Sequence, residues 1–261
     1  MPYIKETCRA GRTIEITKRF TTRFSKKGIT RGENQKPTPE QMQVINERNA
    51  ETKLRRILNT NYGPGDLHIV LTYAKEKRLV PEEAKIELEK FIRKIRAEYR
   101  KNEEELRYIL VTEYKRKSIH HHLIANTIDH VTAKDFDRIW TNGRINCAPL
   151  DDTGQYSELA HYLIKETRKT FRESDSPSKK RWNASKNLMK PEIKKEIIKA
   201  KEWRKVPEPV KGYFIETGSI REGFHDFTGW PYQAYRMIRA AKEEDITPKI
   251  ADRLSKPKIR P

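Results

Sequence analysis

The chain has 261 residues, a formal net charge of +19, 35% hydrophobic residues and 36% charged ones. That balance suits one core of moderate size plus extensions, or two small ones, and the basic excess points to a polyanionic partner, although a solvated basic surface accounts for it too. No segment approaches the ~20 apolar residues that span a bilayer, no apolar signal core opens the chain, and Cys8 and Cys147 provide no disulfide framework, so a cytoplasmic setting away from membranes is expected.

In chain order, residues 1–36 mix a β-type run, Thr13–Phe20, with basic residues and read as a small hairpin or arm. Thr38-Pro-Glu-Gln41 has the capping-box pattern with proline at the first helical position, so a helix is expected from there to about Asn59. The turn cluster Asn61–Asp66 precedes an apolar strand, Leu67–Ala74. Pro81-Glu-Glu then opens a long helix with Ala84, Leu88, Phe91, Ile95 and Tyr99 on one stripe. Two β-rich runs, 106–114 and 119–126, flank the polar break Lys115–Ser118 and predict a hairpin. A helix from about Thr132 to Trp140, a short strand Arg144–Pro149 and a helix within Ser157–Thr170 follow. Ser174–Arg181 reads as a flexible basic linker and Ser255–Pro261 as a disordered tail. Tyr213, Phe214, Phe224, Phe227, Trp230, Tyr232 and Tyr235 could stack on unpaired bases, but most are expected in the core of a C-terminal β-rich piece.

The hairpin carries the chemistry. Side chains alternate along a strand, so His120 and His122 share a face and His121 points the other way. Closure about Arg116-Lys117 pairs Glu113 with His120 and Val111 with His122, with directly opposed Cβ atoms about 5 Å apart. One carboxylate and two imidazoles suit a divalent ion that keeps positions open for water or a phosphate oxygen. A wet strand edge, or a half-buried face with satisfied imidazoles, is the competing reading, and a single bulge would rotate Glu113 away. A structural zinc would ask for thiolates that two distant cysteines do not supply.

The helix within Ser157–Thr170 places Leu159, Ala160, Leu163, Ile164 and Thr167 on one stripe, leaving Tyr162 and Lys165 together outside it. A surface tyrosine packed over a lysine stem is the ordinary explanation of such a pair. Beside a metal site it acquires another meaning. A phenol with a pKa near 10 is a weak nucleophile and needs a neighbouring cation or an activated electrophile. A polarised phosphodiester is one such electrophile.

With those residues in place, the chain resembles the HUH endonuclease superfamily, in particular rolling-circle replication initiators of the bacterial plasmid and mobile-element type with one catalytic tyrosine. Leu67–Ala74 resembles the first, apolar strand motif, His120-His-His122 with Leu-Ile-Ala-Asn126 the metal motif, and Tyr162-Leu-Ile-Lys165 the nucleophile motif. Glu113 is placed like a third ligand on the preceding strand. The resemblance runs from Asp66 to about Leu188, and it departs at His121, where the family prefers a bulky apolar residue. The order of strands and helices itself gives an α+β sandwich, an antiparallel sheet with helices on one face and the other left free for DNA and metal, and the resemblance implies that this central antiparallel sheet with flanking helices is of the ferredoxin or RRM type. It also implies Mg²⁺ or Mn²⁺ at Glu113, His120 and His122, Tyr162 as nucleophile and Lys165 as a supporting cation. Arg116, Lys117 and Lys169 are the candidate DNA-contacting cations.

The expected organisation is an N-terminal arm and helix over 1–65, a nuclease domain over 66–175 and a basic linker with a β-rich extension over 176–261. The expected partner is single-stranded origin DNA. No Gly-x-x-x-x-Gly-Lys-Ser/Thr phosphate loop and no internal repeat occurs, so unwinding is expected from a host helicase in trans. A relaxase or single-tyrosine transposase shares this chemistry, and a non-catalytic nucleic-acid-binding protein is the alternative outside it.

Overall fold

A computed structural model describes residues 3–21, 37–115, 118–167, 180–199, 203–225 and 229–240. The described residues divide into two compact units, one drawn from 9–12 and 35–192, the other from 1–8, 13–34 and 193–261.

The larger unit is built on helices α1 (Pro39–Asn61), α2 (Pro81–Lys101), α3 (Ala133–Ile139) and α4 (Ser157–Glu166), and strands β3 (Leu67–Thr72), β4 (Tyr108–Lys115), β5 (Ser118–Ala125), β6 (Ile145–Pro149) and β7 (Asn183–Ala184). The strands form one antiparallel sheet in the order β6-β3-β5-β4-β7. Helix α1 starts where the capping box predicts. Thr38 N donates to Gln41 Oε1 at 2.9 Å and Thr38 Oγ1 accepts from Gln41 N at 3.3 Å, satisfying donors that the first helical turn leaves open. The predicted stripe of α2, Ala84 through Tyr99, is buried in full.

Strand alternation splits the apolar residues between two cores. Ile69, Leu71, Leu110, Leu123 and Ala125 pack with α2 and α3 on one face. Ile109, Val111 and Ile124 pack with Leu54 and Leu58 of α1 and Ala160, Leu163 and Ile164 of α4 on the other. The expectation of a bare second face is therefore corrected. An amphipathic helix needs somewhere to bury its stripe, and the stripes of α1 and α4 take this face of the sheet. Trp182 and Leu188 join the same core, and Lys53 lies over the Trp182 ring, 6.0 Å from its centroid.

Polar side chains tie the loops around the sheet. Asp66, in the turn before β3, accepts from Gly63 N at 2.9 Å and Thr127 N at 2.8 Å. Asn126, the last residue of the histidine motif, accepts from Arg107 N at 2.7 Å and donates to Glu105 O at 3.2 Å. Its role is to clamp the start of β4 to the end of β5.

A second set of strands, whose residues fall mostly in the smaller unit, joins β1 (Tyr3–Ala10) and β2 (Thr13–Phe20) from one end of the chain to β8 (Glu192–Ile198), β9 (Tyr213–Ile215), β10 (Arg221–Phe224) and β11 (Pro231–Arg239) from the other. They form one sheet in the order β10-β11-β2-β1-β8, with β9 also on β11. Its core is small: Ile14, Ile16, Tyr235 and Met237, with Tyr213 and Ile215 against them. Tyr235 is thus core as expected, whereas Phe214, Phe224 and Trp230 are exposed. The difference follows from alternation, since Phe214 pairs with Ile238 and lies on the opposite face from Ile215 and Met237. Phe227, most of the expected linker and the C-terminal tail lie outside the described residues.

Candidate active site

The site begins with the β4–β5 register. Glu113 pairs with His120 and Val111 with His122, the pairing that symmetric closure predicts, and no bulge interrupts it. Glu113, His120 and His122 consequently share the face that carries α4. Glu113 Oε2 lies 3.9 Å from His120 Nδ1 and 3.9 Å from His122 Nε2. Glu113 and His122 are buried, and His120 is half-buried at the rim.

Two adjacent ligand atoms on an octahedral divalent ion with bonds of ~2.1 Å stand about 3.0 Å apart. The observed separations are wider by about an ångström, within the reach of side-chain torsions. Among the described residues no three His, Cys, Asp or Glu side chains are already gathered into a metal cage. The donor set nonetheless fits a metal with open positions, because one carboxylate and two imidazoles on two paired strands leave half of an octahedron to other ligands. Imidazole nitrogen is a better ligand for Mn²⁺ than for oxygen-seeking Mg²⁺.

Tyr162 comes to the same place from a helix forty residues further on. Its ring meets the His122 ring edge to face, with centroids 5.4 Å apart and planes at 83°. The tyrosine stays 41% exposed while Leu163 and Ile164 beside it are buried, so the stripe that docks α4 turns the phenol outward. Lys165 is exposed three residues along the same helix. His161 Nδ1 and Glu51 Oε2, 3.0 Å apart, link α4 to α1.

A further imidazole escapes the sequence reading. His68 on β3 places Nε2 3.2 Å from His122 Nδ1, with the two rings 28° from parallel. Burial lowers the His68 pKa below the ordinary histidine value. The available signal was a polar ring in an otherwise apolar strand, but parity alone does not say which strand it faces.

His121 occupies the opposite face, as alternation requires. Its Nδ1 lies 2.9 Å from Thr112 Oγ1 and its Nε2 3.0 Å from Tyr73 Oη. Burial, reinforced by the two flanking histidines, depresses its pKa to about 3, so the ring is neutral. Both of its nitrogens are occupied, which separates it from the open face. Arg116, Lys117 and Lys169 lie outside the described residues.

Residues 66–171 match the family described as Replication-associated protein ORF2/G2P. The matched span is less than half of the chain, and it contains Glu113, His120, His122, Tyr162 and Lys165. No curated protein and no solved structure matches the chain. No helix among the described residues is long and apolar enough to cross a membrane.

Proposed function

We propose that this protein is a rolling-circle replication initiator of the HUH class, which nicks single-stranded origin DNA through Tyr162. The observation that carries the reading is the meeting of Tyr162 with His122 on the sheet face where one Glu113 oxygen lies 3.9 Å from both His120 and His122. The match of residues 66–171 to a replication-associated family supports it.

Glu113, His120 and His122 would hold Mg²⁺ or Mn²⁺, which when bound withdraws charge from a phosphodiester oxygen. The Tyr162 oxygen forms a bond to phosphorus as the bond to the 3′ oxygen breaks. The phenol gives up its proton, the 3′ oxygen gains one, and the products are a 5′-phosphotyrosyl link and a free 3′-hydroxyl. Lys165 adds positive charge on the helix surface that carries the nucleophile. Attack by a 3′-hydroxyl on the link rejoins the strand without a nucleotide cofactor, because one phosphoester replaces another. Arg116, Lys117 and Lys169 would contact the DNA backbone, and strand separation would come from a host helicase. A relaxase or transposase would use the same step on a different substrate.

The second reading is a nucleic-acid-binding protein that does not cut. It draws on the net charge of +19, which gives affinity for phosphates without any cutting. Incubating full-length protein with labelled single-stranded DNA and Mn²⁺, then resolving it under denaturing conditions, separates the two. The nicking reading requires a covalent protein–DNA band that Tyr162→Phe removes. Binding without any such band, across origin-like and hairpin substrates, would leave the second reading.

A further inference from the structure

We propose that His68 is a positioning residue: by sharing one hydrogen with His122 Nδ1, it lets His122 Nε2 turn a lone pair towards Glu113. This role presupposes the ion-holding set of Glu113, His120 and His122, and adds to it the residue that governs which nitrogen of His122 is open.

A neutral imidazole has one N–H and one lone pair. His68 Nε2 and His122 Nδ1 are 3.2 Å apart, so a single hydrogen joins them and only one of the two nitrogens carries it. If His68 donates, the His122 hydrogen sits on Nε2 and faces Glu113 Oε2, 3.9 Å away. That arrangement turns a hydrogen towards the carboxylate. If His122 donates instead, its Nε2 presents a lone pair on the Glu113 side, as a metal ligand must. Passing between the two requires a partner on Nδ1 that can both donate and accept. Histidine does so by moving its own hydrogen to Nδ1.

The contact follows from strand pairing. Val70 lies opposite His122 and His68 opposite Ile124, so His68 and His122 are diagonal neighbours on one face. His121 supplies the contrast, since hydroxyls engage both of its nitrogens and it is closed to an ion. Metal-binding histidines elsewhere depend on the group that holds their second nitrogen, and its loss weakens metal affinity about 10- to 100-fold.

The test uses the full-length chain and Mn²⁺ alone, with binding followed by electron paramagnetic resonance. His68→Leu removes both hydrogen-bonding capacities and is expected to weaken binding about 10- to 100-fold. His68→Gln, whose amide can donate or accept, is expected to stay within about threefold of the unaltered protein. Should the leucine variant not fold, the unaltered protein still decides. In ¹⁵N-histidine spectra with diamagnetic Mg²⁺ or Zn²⁺ added, His122 and His68 must both carry hydrogen on Nδ1. A folded His68→Leu that binds Mn²⁺ as tightly as the unaltered protein, or a metal-loaded His122 with its hydrogen on Nε2, overturns the role of His68 alone. An unaltered protein whose Mn²⁺ uptake is absent, or indifferent to Glu113→Gln, overturns the ion-holding set as well.

Discussion

The two faces of strand β5 put the same side chain to opposite uses within three residues. On the α2 and α3 side, His121 is enclosed by the hydroxyls of Tyr73 and Thr112 and by the rings of Tyr73 and Trp140, with no carboxylate among these contacts. On the α1 and α4 side, His120 and His122 face Glu113, and His122 also meets His68 and Tyr162. An imidazole among neutral hydroxyls is a polar piece of core, held because each buried nitrogen is satisfied. An imidazole with one nitrogen towards a carboxylate is a potential ligand. The neighbours decide the role, and strand parity decides the neighbours.

The contrast can be broken most decisively at Tyr162. Tyr162→Phe keeps the ring that packs against His122 and deletes only the oxygen, so covalent adduct formation should fall at least about a thousandfold with thermal stability little changed. Persistence of the adduct at the original rate would move the nucleophile elsewhere.

A smaller loss is expected at the carboxylate. Glu113→Gln keeps the shape but removes the charge between His120 and His122, and Mn²⁺-dependent adduct formation should drop about a hundredfold or more in a labelled-strand assay. Equal activity in Glu113→Gln would mean that the open face is no more chemical than the closed one.

His121→Leu is expected to act in the opposite way. It takes the imidazole partner from the hydroxyl of Thr112 and leaves that of Tyr73 with only Ala84 O, costing about 1–3 kcal/mol in a denaturant titration, while adduct formation per folded molecule stays within a few-fold. A large loss of nicking with stability intact would assign His121 to the chemistry after all.

The mildest probe is the thiol of Cys147, which pairs with Ile69 and packs into the α2 and α3 core. Burial, helped by Asp137, raises its pKa from 9.0 to about 11. Burial penalises the charged form, and for a thiol that form is the thiolate, so the shift is upward, just as it is downward for His121. Between pH 7 and 9 its thiolate fraction, and hence its alkylation rate by iodoacetamide, should be about a hundredfold below that of a thiol at the ordinary value, rising with pH until about 11. A plateau near pH 9 would show this face to be wetter than the structure has it.

Much of this was legible in local pattern. The register of Glu113 with His120 follows from a four-residue break between two β-rich runs, and the buried stripe of α4 follows from three- and four-residue spacing. The capping box at Thr38 announced α1 to within a residue of its start. Other features had no local trace. Helices α1 and α4 cover part of a face expected to be bare, because an apolar stripe shows that a helix must dock but not where. The strands at the two ends of the chain share a sheet because β2 pairs with β11, more than two hundred residues later in the chain.

What the sequence by itself determined, then, is most elements between Thr38 and Thr170 and the side each presents, since helix and strand periods and turn closure act over a few residues. Only the tertiary structure decided that His68 lies against His122 and that Tyr162 meets His122 from α4. Those meetings depend on which distant surfaces bury one another, and chain separation carries no record of that choice.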